Sequence, residues 1–376
     1  MPRGVAPRPH RGTPSPMTST TLDWLRTAAL ACALLCGAGC DSGPATADDA
    51  GGVVPRADAG HAPGTDAGPG GDPDSGIPRG SAWRPFSDAS PWNTPIPSDA
   101  ALRPDSDALV AHLVASHDGP LFVSISPWSV PVYEVDGSTP TVSVRTPLSN
   151  EGEGLTFEWP VPAGALPAPE LDGHMTIVDR VSGRGYDFYQ GMPRGDGTWD
   201  CTLCSTIDLN GTGVRPPKGG STPWYQSHGS RACGFPLIAG LIRPEEIEAG
   251  RIDHALVIAY PALRQRWFRS PASTGHPPNG LISEGEGVPC GGRFQLDPSL
   301  DVESLGLSPA GVAIARALQE YGAYVGDFAG SINLYADGSE EAREYWYGGA
   351  MDDFVVSSLD LSRLRVIEWG ELTPDG

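Results

Sequence analysis

The chain has 376 residues and a formal net charge of −21, with 25 Lys and Arg against 46 Asp and Glu. That balance excludes nucleic acid as a partner, because gripping a phosphate backbone needs a basic surface. Apolar residues make up 39%, which is enough for a substantial core.

From the N-terminus, a basic, Pro-rich leader precedes the apolar run Thr27–Cys36, which continues into Gly37-Ala38-Gly39-Cys40. The run is too short to cross ~30 Å of hydrocarbon. It has the length of a signal-peptide core, with Arg26 as its positive flank and Met17 as an alternative start. Small residues followed by Cys resemble the lipobox of bacterial lipoproteins, although Gly37 stands where that family carries Leu or a similar residue. The resemblance implies that 1–39 is a signal peptide and that Cys40 is lipidated and becomes the mature N-terminus. The protein is then exported and anchored to a bacterial membrane through Cys40, facing the periplasm or the cell surface. Residues 40–81 read as a tether. Asp, Gly, Ala and Pro dominate, Asp-Ala-Gly recurs at 58–60 and 66–68, and too little apolar surface is present to offset ordering. Such a chain has an r.m.s. span of ~35 Å. Residues 82–376 hold no second linker of this kind and are expected to form one globular domain.

Within that domain the pattern predicts a helix near 107–115 and a strand over 121–126. Strands at 130–135 and 141–145 flank the turn Asp136–Pro140 and read as a hairpin. A strand follows at 154–159. His174–Asp179 and Tyr186–Tyr189 form a second hairpin about Ser182-Gly-Arg-Gly185. Pro244–Gly250 reads as a helical turn, 255–260 as a wholly apolar strand, and 293–296 as another strand. The clearest helix runs from Ser308 to Tyr321, with Ser308 as N-cap and Pro309 at the first helical position. A strand at 323–328 follows. Many short strands with Gly/Pro turns imply a mainly β fold, a β-sandwich or jelly-roll-like single domain with a few peripheral helices.

Seven cysteines divide in two groups. Cys32, Cys36 and Cys40 belong to the leader. Cys201, Cys204, Cys233 and Cys290 remain, and an even count in an oxidising compartment implies two disulfides, with three pairings open. Cys201-x-x-Cys204 has no second ligand pair of zinc-site spacing. Asp208–Gly213 begins like a calcium loop, but Gly219 stands where the bidentate Glu belongs, so a weak Ca²⁺ site near Asp208 is the most it offers. No cofactor is implied otherwise. Gly-x-Ser-x-Gly, phosphate-loop and His-Glu-x-x-His patterns are missing.

The segments Ser90–Ile96, Gly173–Asp179, Gly240–Glu245, Gly250–Leu256, Arg293–Asp297 and Tyr321–Asp327 resemble, in their order, a recurring group of secreted bacterial proteins. The resemblance implies a single secreted domain and no particular reaction. The residues themselves offer His254 at the head of an apolar strand and His174 at the head of another, sharing a face with Thr176 and Val178. Tyr186 or Tyr189 on the facing strand would line the same groove, with Arg293 as the cation and Asp327 as a carboxylate at a strand end. A His–Tyr–Arg set suits β-elimination on a uronic acid polymer, the Arg neutralising the carboxylate while His or Tyr moves the proton. Acidic pairs such as Glu151/Glu153/Glu158 and Asp352/Asp353 suit glycoside hydrolysis. Tyr345-Trp346-Tyr347 and Trp224-Tyr225 would stack on sugars or pack in the core.

Two functions follow. In one, a tethered lipoprotein binds an extracellular polysaccharide and cleaves it as a lyase or hydrolase. In the other, it is a non-enzymatic envelope protein. The first puts His174, His254 and Arg293 (or a carboxylate) on one groove, whereas the second keeps the histidines buried and apart.

Overall fold

The computed structural model describes residues 83–146, 154–216, 229–275 and 286–375. The leader, Cys40, the 40–81 tether, Glu151, Glu153, Gly219 and Trp224-Tyr225 lie outside the described residues. Among those residues the domain is mainly β, with strands in four mixed sheets and few helices.

The largest sheet has six strands, in the order β1 (Phe122–Ser124), β15 (Asn333–Tyr335), β10 (Leu256–Ala259), β14 (Ala323–Asp327), β13 (Arg293–Leu296) and β16 (Leu364–Val366). β10 sits inside it, parallel to β14 and antiparallel to β15. Both faces of β10 are covered, which is why Leu256–Ala259 is an unbroken apolar run. A three-stranded sheet joins β12 (Pro289–Cys290), β11 (Arg264–Phe268) and β17 (Thr373–Pro374).

Two four-stranded sheets pack face to face over a second core. One orders β2 (Val132–Val135), β5 (Met175–Asp179), β6 (Arg184–Tyr189) and β9 (Leu203–Asp208). The other orders β4 (Thr156–Trp159), β3 (Val142–Arg145), β8 (Trp199–Asp200) and β7 (Met192–Pro193). Met175, Ile177 and Phe188 from the first meet Val144, Trp159 and Trp199 from the second.

The hairpin about Ser182–Gly185 forms as expected, as β5 and β6. Asp179 Oδ1 holds its turn by accepting from the Val181 and Ser182 N–H groups, both at 3.0 Å. The hairpin expected from 130–135 and 141–145 does not form. β2 pairs with β5 in parallel, while β3 pairs with β4 and β8. The Asp136 turn reverses the chain, with Asp136 Oδ1 accepting from Ser138 N at 2.8 Å. Pro140 then lacks a ladder donor, and the chain leaves for the other sheet.

Helices α1 (Ser106–Ala115), α2 (Pro244–Glu248), α3 (Pro309–Glu320) and α4 (Glu340–Tyr345) fall near their expected places or between strands. Ser308 caps α3, its hydroxyl accepting from Gly311 N at 3.2 Å. α3 buries Ala310, Ala313, Ile314, Ala317 and Leu318 and packs against β13. No described helix is long and apolar enough to cross a membrane.

Candidate functional site

The site lies where the β5–β6 sheet faces the six-stranded sheet. Side chains alternate along a strand, so Met175, Ile177, Tyr186 and Phe188 enter the second core. The opposite face carries His174, Thr176, Asp187 and Tyr189, with Thr176 directly across from Asp187. This resolves the choice between the tyrosines: Tyr189 accompanies His174, with ring centres 5.4 Å apart, and Tyr186 is a core residue. Gly173 allows the approach. Its φ is +44°, and a Cβ there would stand 3.2 Å from the Gln190 Cα.

The six-stranded sheet contributes Asp327, at the end of β14, and Tyr335, at the end of β15. Gly326 lets β14 pass under Phe235, where a Cβ would lie 2.8 Å from the ring. Between the sheets runs Ser230-Arg231-Ala232-Cys233. Cys233 is bonded to Cys290, with Cα atoms 5.5 Å apart, and its N–H donates to the Gly326 carbonyl at 3.1 Å.

Arg231 is the centre of this cluster. It is 1% exposed, and among the described residues none of its three guanidinium nitrogens has a hydrogen-bond acceptor. Nη1 lies 3.7 Å from Asp327 Oδ2, beyond hydrogen-bond reach, and Cζ sits 4.0 Å from the Tyr335 ring centre. His174 Nε2 is 3.3 Å from the Ser230 carbonyl. Asp187 is fully engaged, accepting from the Thr176 hydroxyl at 2.7 Å and from Leu237 N–H at 2.8 Å. Arg215 donates to the Ser205 hydroxyl at 3.2 Å and to the Thr206 carbonyl at 2.6 Å.

The electrostatics follow from burial and that one guanidinium. Burial first, and Arg231 second, push the His174 pKa down to about 3, so the imidazole is neutral at pH 7. Burial raises the Asp327 carboxyl to about 6 against the pull of Arg231. Asp187 is likewise raised to about 6 by burial, opposed by Arg215. Burial also raises Asp172, and raises Tyr189 with help from Asp172 and Asp327. Asp327, at 16% side-chain exposure, and the half-buried Asp172 and Tyr189 form the solvent side of the cluster.

The structure thus brings together His174, Tyr189 and Asp327 but not His254 and Arg293. His254 belongs to a separate buried group. Its Nε2 lies 2.8 Å from Glu246 Oε1 and its Nδ1 3.0 Å from the Ala255 carbonyl, while Arg243 donates to the same Glu246 oxygen at 2.6 Å. Burial opposes ionisation of Glu246, yet Arg243 and His254 hold its carboxyl below the usual range. Arg293 donates to the Tyr321 carbonyl at 2.6 Å and the Thr94 carbonyl at 3.0 Å, tying the 90–96 segment to the sheet. Both residues are engaged within the frame, away from the His174 groove on which the sequence reading places them.

Sequence reasoning does not single out Arg231, Asp172 or Tyr335. The available signal is a lone Arg heading the apolar run 232–242, since a charge there has to be buried and used. Cys201 and Cys204 form the other disulfide. Asp208 Oδ1 accepts from Asn210 N–H at 3.0 Å as a turn cap. No group of three or more His, Cys, Asp or Glu among the described residues is placed to hold a metal ion. Asp353 accepts from Ile125 N–H at 3.3 Å and from the Tyr347 hydroxyl at 2.8 Å, and Trp346 is buried, donating to the Asp337 carbonyl at 2.8 Å. A groove of about 1040 Å³ lies elsewhere, lined by Trp83, Tyr133, Arg180, Arg243, Glu245 and Asp337. None of His174, Tyr189, Arg231 or Asp327 lines that groove, and the site is defined by its chemistry rather than by cavity size.

Comparison with known proteins returns no match, whether to a family model, a curated protein or a solved structure.

Proposed function

We propose that this is an exported lipoprotein, anchored through Cys40, whose β-rich domain binds an acidic extracellular polysaccharide and cleaves it by β-elimination. The observation that carries the reading is Arg231: a buried guanidinium with unused donors, beside a neutral imidazole and a phenol. Arg231 would neutralise the carboxylate of a uronate and so acidify the C–H next to it. Neutral His174 takes that proton, and the C–H electrons become the ring double bond. The bond to the leaving glycosidic oxygen breaks, and that oxygen takes the Tyr189 proton. The raised Tyr189 pKa supports this role, because it keeps the phenol protonated until the oxygen leaves.

The test is incubation with a panel of uronic acid polymers, read as ultraviolet absorbance of the unsaturated product. Activity that falls about 100-fold or more in both His174→Ala and Arg231→Lys, with thermal unfolding intact, supports the reading. No product from any acidic polymer ends it. A non-enzymatic envelope-binding lipoprotein would then stand, favoured by the 8% exposure of His174 and the internal engagement of His254 and Arg293. The mass of the mature N-terminus tests the lipid on Cys40: an acylated Cys supports the anchor, and unmodified cleavage after Ala38 or Gly39 removes it.

A further inference from the structure

We infer that Asp327 is a displaceable counter-ion that decides whether an anion reaches Arg231: a ligand carboxylate takes the guanidinium only as the Asp327 carboxylate gives it up and gains a proton. The inference rests on the acidic-polysaccharide reading above and adds the residue that governs entry.

Three observations carry it. Arg231 has no access of its own, its side chain being 0% exposed, whereas Asp327 is 16% exposed and is the ion-pair partner nearest to it. Among the described residues the guanidinium donors have no acceptor, and at 3.7 Å from Asp327 Oδ2 the pair is electrostatic, without a hydrogen bond to break. Asp327 is also one of several titratable groups gathered round Arg231. Asp172 and His174 act on it from the start of β5, Asp187 from β6, Asp327 from β14 and Tyr335 from β15, while Tyr189 of β6 stands beside His174 and Arg215, beyond β9, beside Asp187. Asp187 is committed to Thr176 and Leu237. Asp327 accepts from the Phe328 N–H at 2.9 Å and from the Ala232 N–H, with Oδ2 turned to Arg231, and it can be neutralised without unmaking a second ion pair. Its raised carboxyl pKa agrees with easy protonation. The exchange balances: ionised Asp327, ligand carboxylate and one solvent proton become neutral Asp327 and a ligand–Arg231 ion pair, with no covalent bond to carbon made or broken.

The experiment is calorimetric titration of the whole domain with trigalacturonate, from about pH 5 to about pH 8, in buffers of different ionisation heat. The expected result is uptake of about one proton per ligand at neutral pH and an affinity that falls about tenfold per pH unit above about pH 6. Asp327→Asn should bind at neutral pH about tenfold tighter than the wild type, with no pH slope. Asp172→Asn should keep the slope. Binding without proton uptake, or a slope that survives in Asp327→Asn, overturns the inference and leaves the acidic-ligand reading standing. Failure of the wild type to bind at any pH overturns both. If Asp327→Asn does not fold, judged by thermal unfolding, the wild-type proton count decides.

Discussion

His174 is neutral because two effects agree: it is buried, and a guanidinium stands beside it. The folded-state pKa is about 3 against an ordinary 6.5, so between those values the unfolded chain binds more protons than the folded one. Stability from this residue is therefore complete above about pH 6.5 and lost progressively as pH falls, by ~3 kcal/mol at about pH 4. His174→Gln removes the charging site, so its urea midpoint should fall less between about pH 7 and about pH 4 than that of the wild type. Asp187, Asp327 and Asp337 act in the opposite sense. Each is raised to about 6 by burial, so the folded state holds their protons longer. Their contribution is present below about pH 4 and lost as pH rises through about 6. A bare stability profile mixes the two trends, and only the variant comparison isolates His174.

Elements that carry their own local signals are legible in the sequence. Ser308-Pro309 announces the start of α3, and its hydroxyl makes the expected cap. Ser308→Ala should lower stability by about 1 kcal/mol, read from denaturant unfolding, with the protein still folded. The β5–β6 hairpin is legible for the same reason: its turn chemistry and alternation are local, and they suffice to set His174 and Tyr189 on facing strands. What is not legible depends on pairing between distant strands. Val132–Val135 and Val142–Arg145 look like partners in sequence, yet each finds a better edge elsewhere, in β5 and in β4 with β8. Arg231 escapes notice because it lies in a segment with no period, and its importance comes only from two sheets closing on it. His254 and Arg293 mislead for the converse reason. Strand-head polar residues serve the frame as readily as the chemistry.

At the scale of the whole molecule, the disulfides divide the work unequally. Cys233 and Cys290 are 57 residues apart, Cys201 and Cys204 only 3. Loop-closure entropy assigns about 4 kcal/mol to the long bridge and about 1.6 kcal/mol to the short one. The double variant Cys233→Ala/Cys290→Ala should therefore lose over twice the stability lost by Cys201→Ala/Cys204→Ala in matched unfolding curves. The net charge of −21 should also make the fold firmer as salt rises from low to physiological ionic strength, read as a higher melting temperature. Location matters as much as magnitude. The long bridge begins two residues after Arg231 and one hydrogen bond from the strand that carries Asp327. A freshly made chain in a reducing compartment lacks that clamp, so the guanidinium and its counter-ion are not yet held in register. On the proposed reading, oxidation would complete the site, and a thiol reductant would undo it without competing for any ligand.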